Sequence, residues 1–183
     1  AFEYRYLGDN SVTEGFAFLF DHLVSNPAWL QARLDIDVDE DLERQRLGEL
    51  TYYTRRYSSK LAYELALHGD RREDADLRRL YSERLSAATG LPWPEETYLT
   101  DVDPGYYAAR YLRAWAFERL LAGELVSRFG EQWFEQPEAG DLLKRLWSEG
   151  QRLRADELAQ EVLGRELNFA AMIDEINAAL PTT

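Results

Sequence analysis

The sequence predicts an all-α protein of about six to eight helices in a single helical domain. Apolar residues recur along most of the chain at the three- and four-residue spacing of a helix, and residues 4–7 are the only, short candidate for a strand. Glycine and proline fall between the periodic segments rather than inside them. With 45% hydrophobic and 13% aromatic residues, the 183-residue chain can bury a sizeable core.

The first helix is predicted over residues 12–24, with Ser11 as its N-cap. Glu14 follows three residues later, which is the spacing of a capping box. Residues 16–20 are apolar on every side of the helix, so we expect this helix to be central and buried. An Asn-Pro pair ends it, and a short turn is expected around 29–30.

Two more helices are predicted in the next third of the chain. The one over residues 41–68 carries leucines and tyrosines on one stripe, and its acidic beginning suits the helix dipole. Gly69 is a natural residue to follow it. The helix over 73–89 is expected to stop at Gly90, because glycine readily adopts the left-handed conformation that ends helices.

Asp103 and Pro104 predict the N-cap and the first residue of a long helix that reaches Phe129. Glu118 is an unusual acid on the apolar stripe of this helix. Further helices are predicted over 139–149, 155–163 and 169–180.

The composition argues against several classes of partner and site. The formal charge of −13 disfavours binding to nucleic acid and to anionic membranes. Without cysteine there is no disulfide framework, thiol nucleophile or Cys-ligated metal site. No segment reads as a signal peptide or as a membrane span, so we expect a cytoplasmic location.

The residues that could perform chemistry do not form a complete catalytic site. The chain has only two histidines, His22 and His68, which excludes a three-histidine zinc site, and they lie in different predicted helices. A Gly-x-Ser-x-Gly nucleophile elbow and the glycine-rich phosphate-binding loops are absent.

Glu14 and Asp21 are the first candidates. They are seven residues apart, so both carboxylates point to the same side of the first helix. A carboxylate on a buried helix needs a partner such as a metal, an arginine or a histidine. A capping box for Glu14 and an ion pair for Asp21 are the alternative interpretations.

The segment over 103–112 (DPGYYAARYL) is the second candidate. Tyrosines at the start of a helix can place phenol groups in a cleft and stabilise an oxyanion. They can equally belong to a tyrosine-rich core. Residues 52–57 (YYTRRY) combine aromatic and basic side chains, and in so acidic a chain we expect their arginines to pair with acids.

Three segments, in this order, resemble the C-terminal half of a gluzincin zinc metallopeptidase of the thimet oligopeptidase and oligoendopeptidase F group. They are 12–21 (VTEGFAFLFD), 105–107 (GYY) and 163–166 (LGRE). The resemblance extends from about residue 13 to residue 174. The His-Glu-x-x-His helix of the family is absent, which suggests that the chain is the C-terminal part of a larger peptidase.

The resemblance implies that Glu14 is the third zinc ligand and that Asp21 orients a ligand histidine. Tyr106 or Tyr107 would stabilise the tetrahedral oxyanion of peptide hydrolysis. The family has a histidine shortly before this tyrosine pair and the present chain has none there. Tyr98 and Arg110 are the two candidates to replace it.

The implied substrate is an oligopeptide, and zinc is expected in the full-length protein but not in this fragment. One carboxylate holds zinc too weakly for the chain to be active by itself, so we expect it to be inactive. Apolar surface exposed by the missing part could also produce a dimer. The alternatives are a non-catalytic helical interaction or scaffold module and a pseudo-peptidase that has lost its metal.

Overall fold

The helical periodicity of the sequence is confirmed. The computed structural model describes residues 8–69 and 73–179, and no strand occurs in these ranges. The candidate strand at 4–7 lies outside the described residues. The eight α-helices are α1 (Asn10–Leu23), α2 (Pro27–Leu34), α3 (Glu40–Gly69), α4 (Asp74–Thr89), α5 (Tyr107–Phe129), α6 (Pro137–Ser148), α7 (Ala155–Leu158) and α8 (Ala170–Ala179).

The predicted cap of α1 is wrong by two residues. Asp9 is the N-cap, and its carboxylate accepts a hydrogen bond from the backbone N–H of Ser11 at 3.0 Å. Ser11 already lies in the first turn, so its side chain cannot close a capping box with Glu14.

The helix α1 is buried on one face only, so the prediction of a helix surrounded by core is also wrong. Val12 and Leu19 are each 2% exposed, whereas Phe20 is 43% exposed. The apolar centre of α1 therefore supplies both a core face and an apolar surface.

Two other boundaries differ from the prediction. The turn expected near residue 29 is the helix α2, which Asn26 caps through its side chain and which ends at Asp35 in a left-handed conformation. The helix α5 begins four residues after Asp103 because Gly105 and Tyr106 have φ angles of +69° and +55°, which a right-handed helix cannot contain.

Contacts divide the chain into two compact units. The first unit comprises residues 1–47 and 113–183, and the second comprises residues 48–112, so the boundaries fall within α3 and α5. None of the described helices is long and apolar enough to cross a membrane.

The core of the first unit is built from α1, α5, α6 and the segment 153–163, which contains α7. Phe117, Leu121 and Leu146 are fully buried there. A π-helical turn, Ala159–Leu163, continues α7 and contributes Leu163 to this core.

The core of the second unit is small and aromatic. Tyr63, Tyr81 and Leu85 are fully buried in it, and their rings and methyl groups pack with Tyr98. Trp93 lies against this core and is the only one of the five tryptophans in the second unit. Its indole N–H donates a hydrogen bond to Thr89 at 2.9 Å.

Candidate functional site

Glu14 and Asp21 lie on the face of α1 that points away from the core. Seven residues make nearly two helical turns, so the two side chains project within about 20° of each other. Val12 and Leu19 project to the opposite side and are buried. Glu14 is half-buried and Asp21 is exposed. The two carboxylates are therefore displayed together, about 10 Å apart along the helix axis.

Gly15 allows α1 to approach α5 closely. A Cβ atom at this position would lie 2.6 Å from Cδ1 of Phe117 and 3.2 Å from the carbonyl oxygen of Ala114. Both distances are shorter than an ordinary van der Waals contact. The close approach fixes the position of the neighbouring Glu14 relative to α5.

Asp9 fixes the beginning of the same helix. Besides capping α1, its carboxylate accepts a hydrogen bond from the backbone N–H of Ala155, the first residue of α7, at 3.1 Å. Arg113 lies 3.4 Å from Asp9 and 2.7 Å from Asp156, so one cation joins the two acids. Burial opposes ionisation, but the hydrogen bonds from Ala155 and Ser11 and the charge of Arg113 hold the pKa of Asp9 below its usual value.

The unusual acid Glu118 is buried, with 1% exposure, and its partners are a histidine and an arginine. Its Oε1 atom lies 2.8 Å from Nδ1 of His22, and its Oε2 atom lies 3.2 Å from Nε of Arg119. Glu175 of α8 pairs with Arg119 at 3.2 Å and with Arg46 at 2.7 Å. This network explains the buried acid without a metal.

An open cavity of about 430 Å³ lies beside this network. Its polar side is formed by His22, Arg119 and Glu175, and its apolar side includes Leu19 and Trp133. The cavity therefore combines a side of paired polar groups with an apolar side.

In the second unit the turn before α5 has an unusual backbone. Tyr106 has a φ of +55°, a conformation that costs a non-glycine residue on the order of 1 kcal/mol or more. The ring of His68, from α3, packs edge-on against the Tyr106 ring with 5.5 Å between centroids. The helix α3 thus brings His68 into contact with Tyr106, a contact that sequence reasoning missed.

A charged cluster anchors the start of this turn. Lys60, 3% exposed, lies 2.7 Å from Asp103 and 3.6 Å from Asp101, and Arg56 lies 2.7 Å from Asp101. Glu64 is fully buried, accepts a 3.5 Å hydrogen bond from the backbone N–H of Asp103, and its Oε2 atom has no hydrogen-bond partner among the described residues. Burial raises the pKa of Glu64 because the charged form is desolvated.

A continuous row of tyrosine rings runs along the second unit. Tyr107 contacts Tyr111 with 5.0 Å between ring centroids, and Tyr111 contacts Tyr57 at 5.1 Å. Tyr53 follows Tyr57 at 6.4 Å, and Tyr52 follows Tyr53 at 5.4 Å. Tyr53 is exposed and the other four are half-buried, so the row forms a wall with one side open to solvent.

Arg110 lies at the end of this wall. The carbon of its guanidinium group lies over the Tyr107 ring, 5.7 Å from the ring centroid. A Cβ atom at Gly105 would lie 3.6 Å from Nη2 of Arg110, so the group is also close to the turn. Tyr106, Tyr107 and Arg110 are therefore neighbours at the start of α5.

Tyr98, the other candidate to replace the missing histidine, does not fit that role. It is 7% exposed, its hydroxyl donates a short hydrogen bond to Asp74, and Arg78 stacks 4.4 Å from its ring centroid. The hydrogen bond to Asp74 raises the pKa of Tyr98. The phenol group is thus occupied in linking α4 to the loop that follows it.

The five candidate residues therefore form two groups, Glu14 with Asp21 in the first unit and Tyr106, Tyr107 and Arg110 in the second. Within the described ranges, no three His, Asp or Glu side chains are grouped as the ligands of a metal ion. Comparisons of the chain with protein-family models, with curated proteins and with solved structures gave no match.

Proposed function

We propose that the chain is the C-terminal helical lobe of a zinc-dependent peptidase that hydrolyses oligopeptides. Glu14 is one zinc ligand, and Asp21 orients a histidine ligand supplied by another part of the protein. Tyr106 and Tyr107 face the substrate. The observation that carries the proposal is the display of Glu14 and Asp21 on one face of α1, away from the core.

The described residues can supply one ligand of a zinc site but not a complete set of ligands. A carboxylate is an accepted zinc ligand in peptidases, usually beside two histidines. His22 is committed to Glu118 and Arg119, and His68 packs on Tyr106, so neither histidine accompanies Glu14 in the first unit. The remaining ligands must come from outside the described residues. A zinc ion, when bound, polarises the scissile carbonyl and its own water ligand.

The residues of this chain have two tasks in the proposed reaction. Glu14 holds its position because Gly15 and Asp9 fix α1. A phenol O–H of Tyr106 or Tyr107 donates a hydrogen bond to the carbonyl oxygen as water adds to the carbonyl carbon. This stabilisation is worth about 3 kcal/mol in comparable sites. A base from outside the described residues would take the proton that the water loses and give it to the amine as the C–N bond breaks.

The experiment is performed on the full-length protein purified with its metal. We expect cleavage of an internally quenched oligopeptide, loss of activity with a zinc chelator, and about one zinc per chain by mass spectrometry. Glu14→Gln keeps the shape of the side chain but removes its charge. We expect this variant to lose bound zinc and at least 100-fold in kcat/KM.

Glu131→Gln is the matched control, because Glu131 is an exposed acid of the same unit that forms no ion pair with another described residue. It should keep the zinc content and activity of the wild type. A Glu14→Gln variant with full zinc and full activity would remove Glu14 from the site.

Tyr107→Phe tests the tyrosine wall independently. If the phenol meets the developing oxyanion, kcat falls by about 100- to 1,000-fold while KM and the thermal stability change little. Unchanged turnover would exclude Tyr107 from this role.

The alternative is a non-catalytic helical interaction module. A second cavity of about 290 Å³ in the first unit, lined by Trp29, Trp133 and Trp147, favours it, since Trp147 is 45% exposed. Absence of zinc and of peptide cleavage in the full-length protein would support this alternative, or a pseudo-peptidase, over the peptidase.

A further inference from the structure

Arg110 differs from the other arginines of this acidic chain. Among the described residues, most arginines lie within 4 Å of a carboxylate. Three exceptions, Arg55, Arg84 and Arg145, are exposed to solvent. Arg110 is the half-buried exception: no carboxylate and no hydrogen-bond acceptor of the described residues pairs with its guanidinium group.

The position of the Arg110 guanidinium is set by packing instead. It lies over the Tyr107 ring and close to the turn at Gly105. A cation–π contact with an aromatic ring restrains the planar group while its N–H groups stay available. A group that is already oriented loses less entropy when it binds a ligand.

A planar, oriented guanidinium group is suited to a carboxylate, which it binds through two parallel hydrogen bonds. An oligopeptide has one carboxylate whatever its sequence, at its C-terminus. Acidic side chains are less suitable ligands, because the chain has a net charge of −13 and repels acidic peptides as a whole.

We infer that Arg110 binds the C-terminal carboxylate of the peptide substrate. The inference rests on the proposed function and narrows its substrate class to short peptides with a free C-terminus. Tyr106, 37% exposed, and Tyr107 then lie beside the bond to be cleaved, while Arg110 fixes the end of the peptide.

The test compares one quenched peptide in two forms, with a free C-terminal carboxylate and with a C-terminal amide, on the full-length protein. We expect the wild type to cleave the free acid with at least tenfold higher kcat/KM, mainly through a lower KM. In Arg110→Gln, kcat/KM for the free acid divided by kcat/KM for the amide should fall to about one. Arg110→Lys keeps the charge but not the planar guanidinium group, so its ratio should lie between those of the wild type and Arg110→Gln.

Arg84→Gln is the control for charge, because Arg84 is an exposed arginine of the same unit that pairs with no carboxylate in the described part of the chain. It should retain the wild-type ratio. A third peptide, with an internal glutamate and an amidated C-terminus, separates the two sources of carboxylate. Restored fast cleavage of that peptide would assign Arg110 to acidic side chains and overturn the inference.

Two other outcomes also contradict the inference. One is equal cleavage of acid and amide by the wild type. The other is a loss of kcat by the same factor for both peptides in Arg110→Gln, which would assign Arg110 to the oxyanion. If neither peptide is cleaved, the proposed function fails. Titration calorimetry with non-cleavable N-methylated versions of both peptides then decides whether Arg110 binds the carboxylate.

Discussion

The carboxylate of Asp9 accepts a hydrogen bond from the backbone N–H of Ala155, 146 residues further along the chain. The same carboxylate caps α1 through Ser11. One side chain thus satisfies the first turns of two helices, α1 and α7, and attaches the helix that carries Glu14 to the C-terminal part of the first unit.

We expect Asp9→Ala to lower the free energy of unfolding by about 1–2 kcal/mol, because it removes an N-cap and leaves backbone N–H groups without an acceptor. Asp9→Asn keeps an N-cap but loses the charge that Arg113 stabilises. Because the folded state lowers the pKa of Asp9, its contribution is present above the unfolded pKa and is lost as the pH falls through the folded pKa. Urea unfolding of the wild type and Asp9→Asn between pH 3 and 6 should therefore converge at low pH. A difference in the free energy of unfolding that does not change with pH would contradict a contribution from the charge of Asp9.

Gly15→Ala and Gly123→Ala should change stability in opposite directions. The added methyl group at Gly15 meets Phe117 at 2.6 Å, so we expect a loss of about 1–3 kcal/mol. At Gly123, inside α5, the added methyl group meets nothing within 4 Å. The better helix propensity of alanine should therefore raise the free energy of unfolding by at most about 1 kcal/mol. Chemical denaturation of both variants measures the two effects. Equal effects of the two substitutions would show that α1 does not depend on the close approach.

Glu118→Gln should lower the free energy of unfolding by about 2 kcal/mol, because it removes the buried carboxylate that the half-buried His22 and Arg119 share. Glu131→Gln, on the surface of the same unit, should change it by less than about 0.5 kcal/mol. A double-mutant cycle with His22→Gln measures how much of the loss belongs to the histidine pair. A coupling energy near zero would assign the whole effect to Arg119.

Glu64→Gln should stabilise the protein increasingly as the pH rises. Burial raises the pKa of Glu64, so the folded state binds its proton more tightly than the unfolded state does. Stability is therefore lost as the pH rises from the unfolded to the folded pKa, and glutamine, which cannot ionise, avoids this loss. Thermal unfolding of the wild type and Glu64→Gln from pH 4 to 8 tests the prediction. The exposed Glu49→Gln is the control, and a pH-independent difference for Glu64→Gln would contradict it.

The long helices could be predicted because their signals are local. Apolar residues at helical spacing run through α3 and α4, and Gly90 ends α4 with a φ of +73°, as its position suggested. The cap of α1 could not be predicted in the same way. Ser11 and Asp9 are both good N-caps, and the choice of Asp9 is favoured by its contact with Ala155, which no local pattern reveals.

In the candidate site too, features set by local sequence could be predicted and features set by distant contacts could not. The common direction of Glu14 and Asp21 follows from helix geometry alone and was predicted. The contact of His68 with Tyr106 depends on a left-handed tyrosine, and sequence rules assign that conformation to glycine or asparagine rather than to tyrosine. Pro104 and Gly105 indicated a turn at this place, but not that the turn would delay the helix until Tyr107.

Because the second unit has a single tryptophan, the tryptophan fluorescence of the two units can be measured separately. Trp93 sits against the small aromatic core with Arg56 stacked 5.0 Å from its ring, while the other four indoles all belong to the first unit. Emission from Trp93→Phe therefore arises from the first unit alone, and the difference from the wild-type spectrum is the emission of the second. The fluorescence of Trp93 thus reports on the folding of the second unit separately from that of the first.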